Sequence, residues 1–266
     1  MQDITEGRPV DTARRWSGFG CAAVGCIAYG LFVVLQFVVL GVMLFHAHPD
    51  IANVSQTFPP DVARQTFAKW AIELSTAQNI FWLAVAGDGV LILAAVVLAR
   101  YILGANARQI GFRKDTTGSQ LLMGVLTGIA LIVVSQIVSL VQVKLFGQHP
   151  EAVTEIIKQH HGTLDFLFDL ASICIIAPFA EELLFRGVIF AGLAQRLPLW
   201  AAASLSGVIF GAAHLDQWGF VPLAVTGIGL ALLYDRTRSL WPNIVAHAVF
   251  NAFALLIVFF IPKLAT

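Results

Sequence analysis

The amino-acid sequence predicts an all-α fold, a polytopic transmembrane bundle of about seven helices. Of the 266 residues, 58% are hydrophobic and 12% are charged. Soluble domains instead contain about 45 to 50% apolar and about 25% charged residues. Apolar runs recur along the chain, most of them close to the roughly 20 residues that cross a hydrocarbon core of about 30 Å. Polar and proline-containing segments separate these runs, and the length suits a single bundle.

The overall charge and the cysteines exclude several classes of protein. The formal net charge is zero and basic residues form no run, so no nucleic-acid partner is expected. Cys21, Cys26 and Cys174 all lie in apolar runs. Their odd number and their surroundings indicate neither a disulfide framework nor a thiolate metal site.

The first half of the chain predicts three spans. A polar segment, residues 1–17, precedes the apolar run 18–45. That run greatly exceeds the 7 to 15 residues of a signal-peptide core and lacks a clear cleavage site, so we expect a retained helix. Runs at 79–103 and 120–146 complete the N-terminal region 18–146. The loop 46–77 contains three prolines and one predicted short helix at 61–74.

The second half predicts four more spans, at 164–192, 198–214, 219–234 and 240–262, which together form a core over residues 164–262. The connection at 147–162 is polar, and we expect its histidines, including His160 and His161, to be solvated. Asp88, between Gly87 and Gly89 in the second span, is an intramembrane carboxylate. No second chemical group accompanies it, so a structural or pairing role is expected.

The basic residues of the connections predict the orientation, because cytoplasmic loops carry an excess of Lys and Arg. With a cytoplasmic N-terminus, ten basic residues face inside and five face outside. The inner set is Arg8, Arg14, Arg15, Arg100, Arg108, Arg113, Lys114, Arg196, Arg236 and Arg238, and the outer set is Arg64, Lys69, Lys144, Lys158 and Lys263. We therefore expect a multi-pass protein of the cell membrane, with residues 1–17 inside and the loop 46–77 and the C-terminus outside.

Three charged residues interrupt the fourth apolar run, at Glu181, Glu182 and Arg186. A charged side chain within a membrane-spanning helix costs roughly 2.5 to 3.5 kcal/mol on insertion scales. In a helix, Glu182 and Arg186 lie one turn apart on one face, with the acid on the favourable N-terminal side. Glu181 points elsewhere and needs a partner from another segment. This asymmetry indicates a polar site rather than a solvated helix surface.

Two further polar sets lie in apolar runs. His214 follows Phe210-Gly211-Ala212-Ala213, where small residues allow another backbone or a substrate to approach closely. His247 and Asn251 are four residues apart and share one helix face. An unsatisfied buried polar group in a membrane costs several kcal/mol, so we expect Glu181, His214, His247 and Asn251 to converge on one polar cavity.

In order and spacing, Glu181-Glu182-Leu-Leu-Phe-Arg186, Phe210-x-x-x-His214 and His247-x-x-x-Asn251 resemble the motifs of the CPBP intramembrane protease family. That family includes type II CAAX prenyl endopeptidases and bacterial members implicated in bacteriocin immunity. The resemblance covers roughly residues 166–261. The first three spans match only as generic membrane segments.

The resemblance implies a membrane-embedded endopeptidase that acts on a peptide or a lipidated protein within the lipid. Glu181 would activate a water together with His214, and His247 with Asn251 would stabilise the oxyanion. Glu182 and Arg186 would orient Glu181. Glu181, His214 and His247 also provide enough ligands for a hydrolytic zinc site with water in the fourth position. The sequence leaves zinc-dependent and metal-free hydrolysis both open.

A non-catalytic membrane protein is the alternative, either a small transporter or a scaffold whose charged residues bind an ion. Transporters usually show internal repeats with Gly or Pro breaks in corresponding halves, and we find none in this sequence. The sequence also lacks His-Glu-x-x-His, which excludes a zinc-protease site carried on one helix.

Overall fold

The computed structural model describes residues 18–51, 53–54, 58–102, 104–148 and 152–261. Every regular element in these ranges is helical, which confirms the predicted all-α bundle. The N-terminal segment 1–17, His149 and Lys263 lie outside the described residues.

Nine helices organise the described ranges. The first five are α1 (Gly18–Ala47), α2 (Pro60–Leu74), α3 (Ala77–Val97, continued by a π-helical turn at Leu98–Ile102), α4 (Gly118–Phe146) and α5 (Ala152–Ile157). The remaining four are α6 (Thr163–Leu193), α7 (Leu199–Ala213), α8 (Phe220–Thr237) and α9 (Leu240–Phe260). The short helix predicted at 61–74 corresponds to α2 and is confirmed.

Five helices are long and apolar enough to cross a membrane: α1, α3, α4, α6 and α9. The fifth and sixth predicted spans correspond to α7, which has 15 residues, and α8, which has 18. At 1.5 Å per residue, α7 is only about 22 Å long, so it is shorter than a hydrocarbon core of about 30 Å. The chain is an integral membrane protein. The count of seven spans and the orientation of the termini stay predictions.

Helix α6, which carries the charged cluster, departs from the regular α-helix that the sequence predicted. An α-helical segment at Ala177–Glu182 lies between π-helical segments at Ser172–Ile176 and Leu183–Phe190. Pro178 has no N–H, and its ring conflicts with the carbonyl four residues earlier in an α-helix. In the preceding π-helical segment, backbone hydrogen bonds span five residues instead of four, so the helix is wider next to this proline. Such segments often occur at functional sites.

Small residues bring the helix backbones close together around α7, α8 and α9. A Cβ added to Gly211 would lie 2.6 Å from the carbonyl oxygen of Phe220. A Cβ on Gly128 of α4 would lie 2.6 Å from the carbonyl oxygen of Ala246. Membrane helices commonly pack in this way, because small residues permit close contact between backbones. The predicted close approach in the turn before His214 is confirmed.

The loop between α3 and α4 packs against α6 and α9. A Cβ on Gly187 would lie 2.7 Å from the carbonyl oxygen of Ile110, and Gly111 accepts a 2.9 Å hydrogen bond from the Leu240 backbone N–H. Gly111 has φ +99°, a conformation that suits glycine.

In the same loop, the hydrogen bond from Arg113 lowers the pKa of Asp115 to about 2. Asp115 is therefore ionised at neutral pH.

His160 is buried, and the expectation that it is solvated was wrong. Its Nδ1 lies 2.8 Å from Asp169 Oδ2, and its Nε2 lies 2.9 Å from the carbonyl oxygen of Ser75. The side chain is only 4% exposed, because the connection before α6 folds against the end of α2. A carbonyl oxygen can only accept a hydrogen bond, so Nε2 carries a proton. His160 thereby links the end of α2 to the first turns of α6.

Replacing His160 with alanine should lower the free energy of unfolding by about 3 to 5 kcal/mol, because it leaves the Asp169 carboxyl buried without its partner. The measurement is the denaturation of the detergent-solubilised protein. His161→Ala is the matched control, since His161 is exposed and its loss should change the stability by less than about 0.5 kcal/mol. Equal stability of the two variants would contradict this assignment.

Candidate active site

Glu182 lies at the centre of a fully buried hydrogen-bond network. Its Oε1 accepts hydrogen bonds from Arg186 Nη1 and from His247 Nδ1, both at 2.9 Å. Its Oε2 accepts one from Asn243 Nδ2 at 3.2 Å. The side chains of Glu182 and Arg186 are 0% exposed. The predicted pairing of Glu182 with Arg186 is confirmed, and two residues of α9 join it.

Arg186 connects the helices that surround this network. Its Nη2 donates a 3.3 Å hydrogen bond to the carbonyl oxygen of Gly227 in α8. Its guanidinium carbon lies 4.5 Å from the ring centroid of Phe210 in α7, within the range of a cation–π interaction. Arg186 therefore contacts α8 and α7 as well as Glu182 of its own helix.

Glu181 faces two histidines from other helices. Its Oε2 lies 3.8 Å from His214 Nε2 and 3.9 Å from His247 Nε2. Both separations exceed hydrogen-bond length, and this buried oxygen has no hydrogen-bond partner in the described part of the chain. The side chain of Glu181 is 21% exposed, whereas that of His247 is 4% exposed. Of the four residues expected to converge, Glu181, His214 and His247 lie together, and no contact of Asn251 with these three is found in the described ranges.

The second ring nitrogen of each histidine is already engaged. His214 Nδ1 lies 2.8 Å from the carbonyl oxygen of Phe210. Since a carbonyl cannot donate, Nδ1 carries the proton and the lone pair of the neutral ring is on Nε2. His247 Nδ1 is held by the Glu182 carboxylate at 2.9 Å. These bonds fix both rings with Nε2 directed toward Glu181.

The three atoms have the donor chemistry of a zinc site, but their spacing is wide. Ligands about 2.0 to 2.1 Å from a tetrahedral ion lie about 3.3 Å apart, and the separations here are 3.8 and 3.9 Å. In the described ranges, no group of three or more His, Cys, Asp or Glu side chains is spaced closely enough to hold a metal ion as it stands. A water about 2.8 Å from each atom bridges such separations without rearrangement.

Asn251 does not share a partner with His247. Its Nδ2 donates a 2.8 Å hydrogen bond to the carbonyl oxygen of Ile173, so the two side chains make separate contacts to α6 although they share one helix face. The amide that joins the network is Asn243, which the sequence analysis did not select. It lies one turn before His247 on the same face of α9, and this spacing was the available signal.

Helices α1 and α3 place two further polar side chains near Glu181. Tyr29 of α1 and Asp88 of α3 are both within electrostatic range of its carboxylate. Asp88 is 6% exposed, and no hydrogen bond or ion pair to it is found in the described ranges. A pairing partner for Asp88 is therefore not seen in the described part of the chain, and the structural role stays a prediction.

Comparisons with known proteins identify a similar family and a similar membrane protein. Residues 163–253 match the family described as "Type II CAAX prenyl endopeptidase Rce1-like". The chain is also 28% identical over 150 residues to the Bacillus subtilis (strain 168) protein named "Putative membrane peptidase YdiL". That similarity covers 54% of this chain and 59% of the relative. No solved structure matches the chain. The resemblance to the CPBP family, seen in the motifs of α6, α7 and α9, is confirmed.

Proposed function

We propose, from this family resemblance and the geometry of the site, that the chain is an intramembrane endopeptidase in which Glu181 activates a water for peptide hydrolysis. The observation that supports it most directly is the position of Glu181 Oε2, 3.8 and 3.9 Å from two imidazole Nε2 atoms. A general base must be within hydrogen-bond reach of the proton it removes, directly or through one water. A water beside these three atoms, about 2.8 Å from each, would be within hydrogen-bond reach of the carboxylate and both rings.

In the proposed reaction, the water donates one proton to Glu181 Oε2 and its other hydrogen toward His214 Nε2. The oxygen attacks the carbonyl carbon of the scissile peptide bond and forms a tetrahedral intermediate. Breakage of the C–N bond then releases the amine, which takes the proton from Glu181. His247, held by Glu182, completes the enclosure of the water.

Glu182 and Arg186 act indirectly in this proposal. Glu182 cannot serve as the base, because its oxygens already accept hydrogen bonds from Arg186, His247 and Asn243. Its role is to hold the ring of His247 at a fixed angle. An oxyanion role for Asn251 requires its second N–H, since the other is donated to Ile173. Removal of one oxyanion donor typically costs about 100- to 1000-fold in rate.

The substrate would be a membrane peptide or a lipidated protein. Purified protein in liposomes, incubated with a library of membrane-inserted peptides of which half carry a C-terminal prenyl-cysteine, tests this. We expect new peptide termini by mass spectrometry with the wild type, which are absent with Glu181→Ala and with His214→Ala. Identical termini from all three proteins would contradict the proposed roles of Glu181 and His214, and no new termini with the wild type would place the ion-binding alternative ahead.

The same preparation tests the zinc that the donor set suggests. We expect cleavage to continue after exhaustive treatment with a chelator, because the spacing favours a bridging water. Loss of activity that is restored by one equivalent of zinc would instead show that the reaction depends on zinc, with Glu181, His214 and His247 as the candidate ligands.

A further inference from the structure

We propose that Tyr29 of α1 is a positioning residue that holds the turn bearing His214. The inference rests on the proposed function, in which the orientation of His214 matters. Tyr29 lies outside residues 163–253, which carry the family match. It would give the first span a direct part in the site.

The end of α7 shows why this tyrosine is needed. The last four carbonyls of a helix have no partner within the helix. Here the carbonyl of Phe210 accepts from His214 Nδ1, and that of Gly211 from the His214 backbone N–H. The carbonyl of Ala212 accepts from the backbone N–H of Leu215. The remaining one, Ala213, accepts from the Tyr29 hydroxyl.

The turn that follows His214 is strained and is held at both ends. Leu215 has φ +54°, a left-handed conformation that is uncommon for a bulky residue. On the far side, Asp216 Oδ1 accepts hydrogen bonds from the backbone N–H groups of Trp218 and Gly219, at 2.9 and 3.1 Å. On the side of α7, Tyr29 of α1 holds the turn through its hydrogen bond to the carbonyl of Ala213. Such conformations persist only where the surroundings constrain them.

A series of aromatic contacts connects Tyr29 to the histidine. The ring centroid of Tyr29 lies 6.0 Å from that of Phe185, which lies 5.1 Å from that of Phe210. The Phe210 ring in turn packs edge-on against His214, at 4.8 Å. The Tyr29 ring therefore packs against Phe185, which supports His214 through Phe210. The Tyr29 hydroxyl holds the carbonyl of Ala213, the residue before His214.

Tyr29→Phe separates these two contributions, because it keeps the ring and removes only the hydroxyl. We expect kcat for peptide cleavage to fall by about threefold to tenfold, the range for one lost hydrogen bond. KM should stay within about twofold, since no substrate contact is lost. Tyr101→Phe is the matched control, because Tyr101 is 81% exposed on the surface. A kcat unchanged from that of Tyr101→Phe would overturn the inference.

A second measurement does not depend on activity. His214 has an unprotonated Nε2 and a side chain that is 29% exposed, so diethylpyrocarbonate should modify it. In Tyr29→Phe we expect the modification rate of His214, read by mass spectrometry, to rise by about threefold or more. The rate of the exposed His161 should not change. An unchanged His214 rate would overturn the role of Tyr29, whereas an inactive wild type would overturn only the proposed function.

Discussion

Replacement of Glu181 with glutamine is expected to lower kcat by about 100- to 10,000-fold, the range that a general base contributes. Glutamine keeps the size and hydrogen-bonding capacity of the side chain but cannot take a proton from water. Since Glu181 Oε2 has no hydrogen-bond partner in the described part of the chain, no structural contact of that atom is lost. The effect should therefore fall on turnover and not on folding.

The measurement is single-substrate turnover at matched expression, together with the unfolding midpoint of each variant. Glu73→Gln is the matched control for the same chemical change, because Glu73 is half-exposed in α2. Glu182→Gln provides the internal comparison, since its loss of activity should be accompanied by a loss of stability. Retained turnover in Glu181→Gln would remove Glu181 from the role of base.

Local spacing was sufficient to predict the part of the site that lies on one helix. Glu182 and Arg186 are four residues apart, so an ion pair follows from helix geometry alone. The pairing survives even though Arg186 lies in a π-helical segment. Because Glu181 had no partner on its own helix, a contact from another segment was required, and His214 and His247 supply it.

The contact of Asn251 could not be read from the sequence, because it depends on a local change in α6. The carbonyl of Ile173 lies in the π-helical segment Ser172–Ile176. Such a segment shifts the backbone hydrogen bonds by one residue, and buried carbonyls need a partner. Asn251 contributes that partner. In a regular α-helix, which the sequence predicted here, Ile173 would not need this partner, and the Asn251 amide would be free to act beside His247.

The long-range contacts of the N-terminal helices could not be predicted from the sequence either. Tyr29 and Ala213 are separated by 184 residues, and no pattern in either segment indicates the other. His160 is a similar case, since its burial depends on Ser75, 85 residues earlier. The sequence located the chemical groups, whereas the packing of α1 and α2 against them required the structure.

Loss of Arg186 should strongly lower the stability of the protein. Arg186→Met leaves the Glu182 carboxylate fully buried without its cation, and removal of one partner from a buried ion pair costs about 3 to 5 kcal/mol. We expect a corresponding fall in the free energy of unfolding in detergent. Arg238→Met is the matched control, because Arg238 pairs with Asp235 at the surface, where such a pair contributes about 0 to 1 kcal/mol.

The double variant Glu182→Gln with Arg186→Met decides whether the cost comes from the uncompensated charge. Removing both charges at once leaves no buried ion, and such replacements are often neutral or stabilising. Glutamine at 182 keeps one carbonyl oxygen, which can still accept the 2.9 Å hydrogen bond that His247 Nδ1 now makes to Oε1. We therefore expect the double variant to be more stable than Arg186→Met alone. If the double variant instead loses as much stability as the two single variants together, Arg186 stabilises the bundle through its contacts with Phe210 and Gly227. Neutralisation of the Glu182 charge would then not be its main contribution.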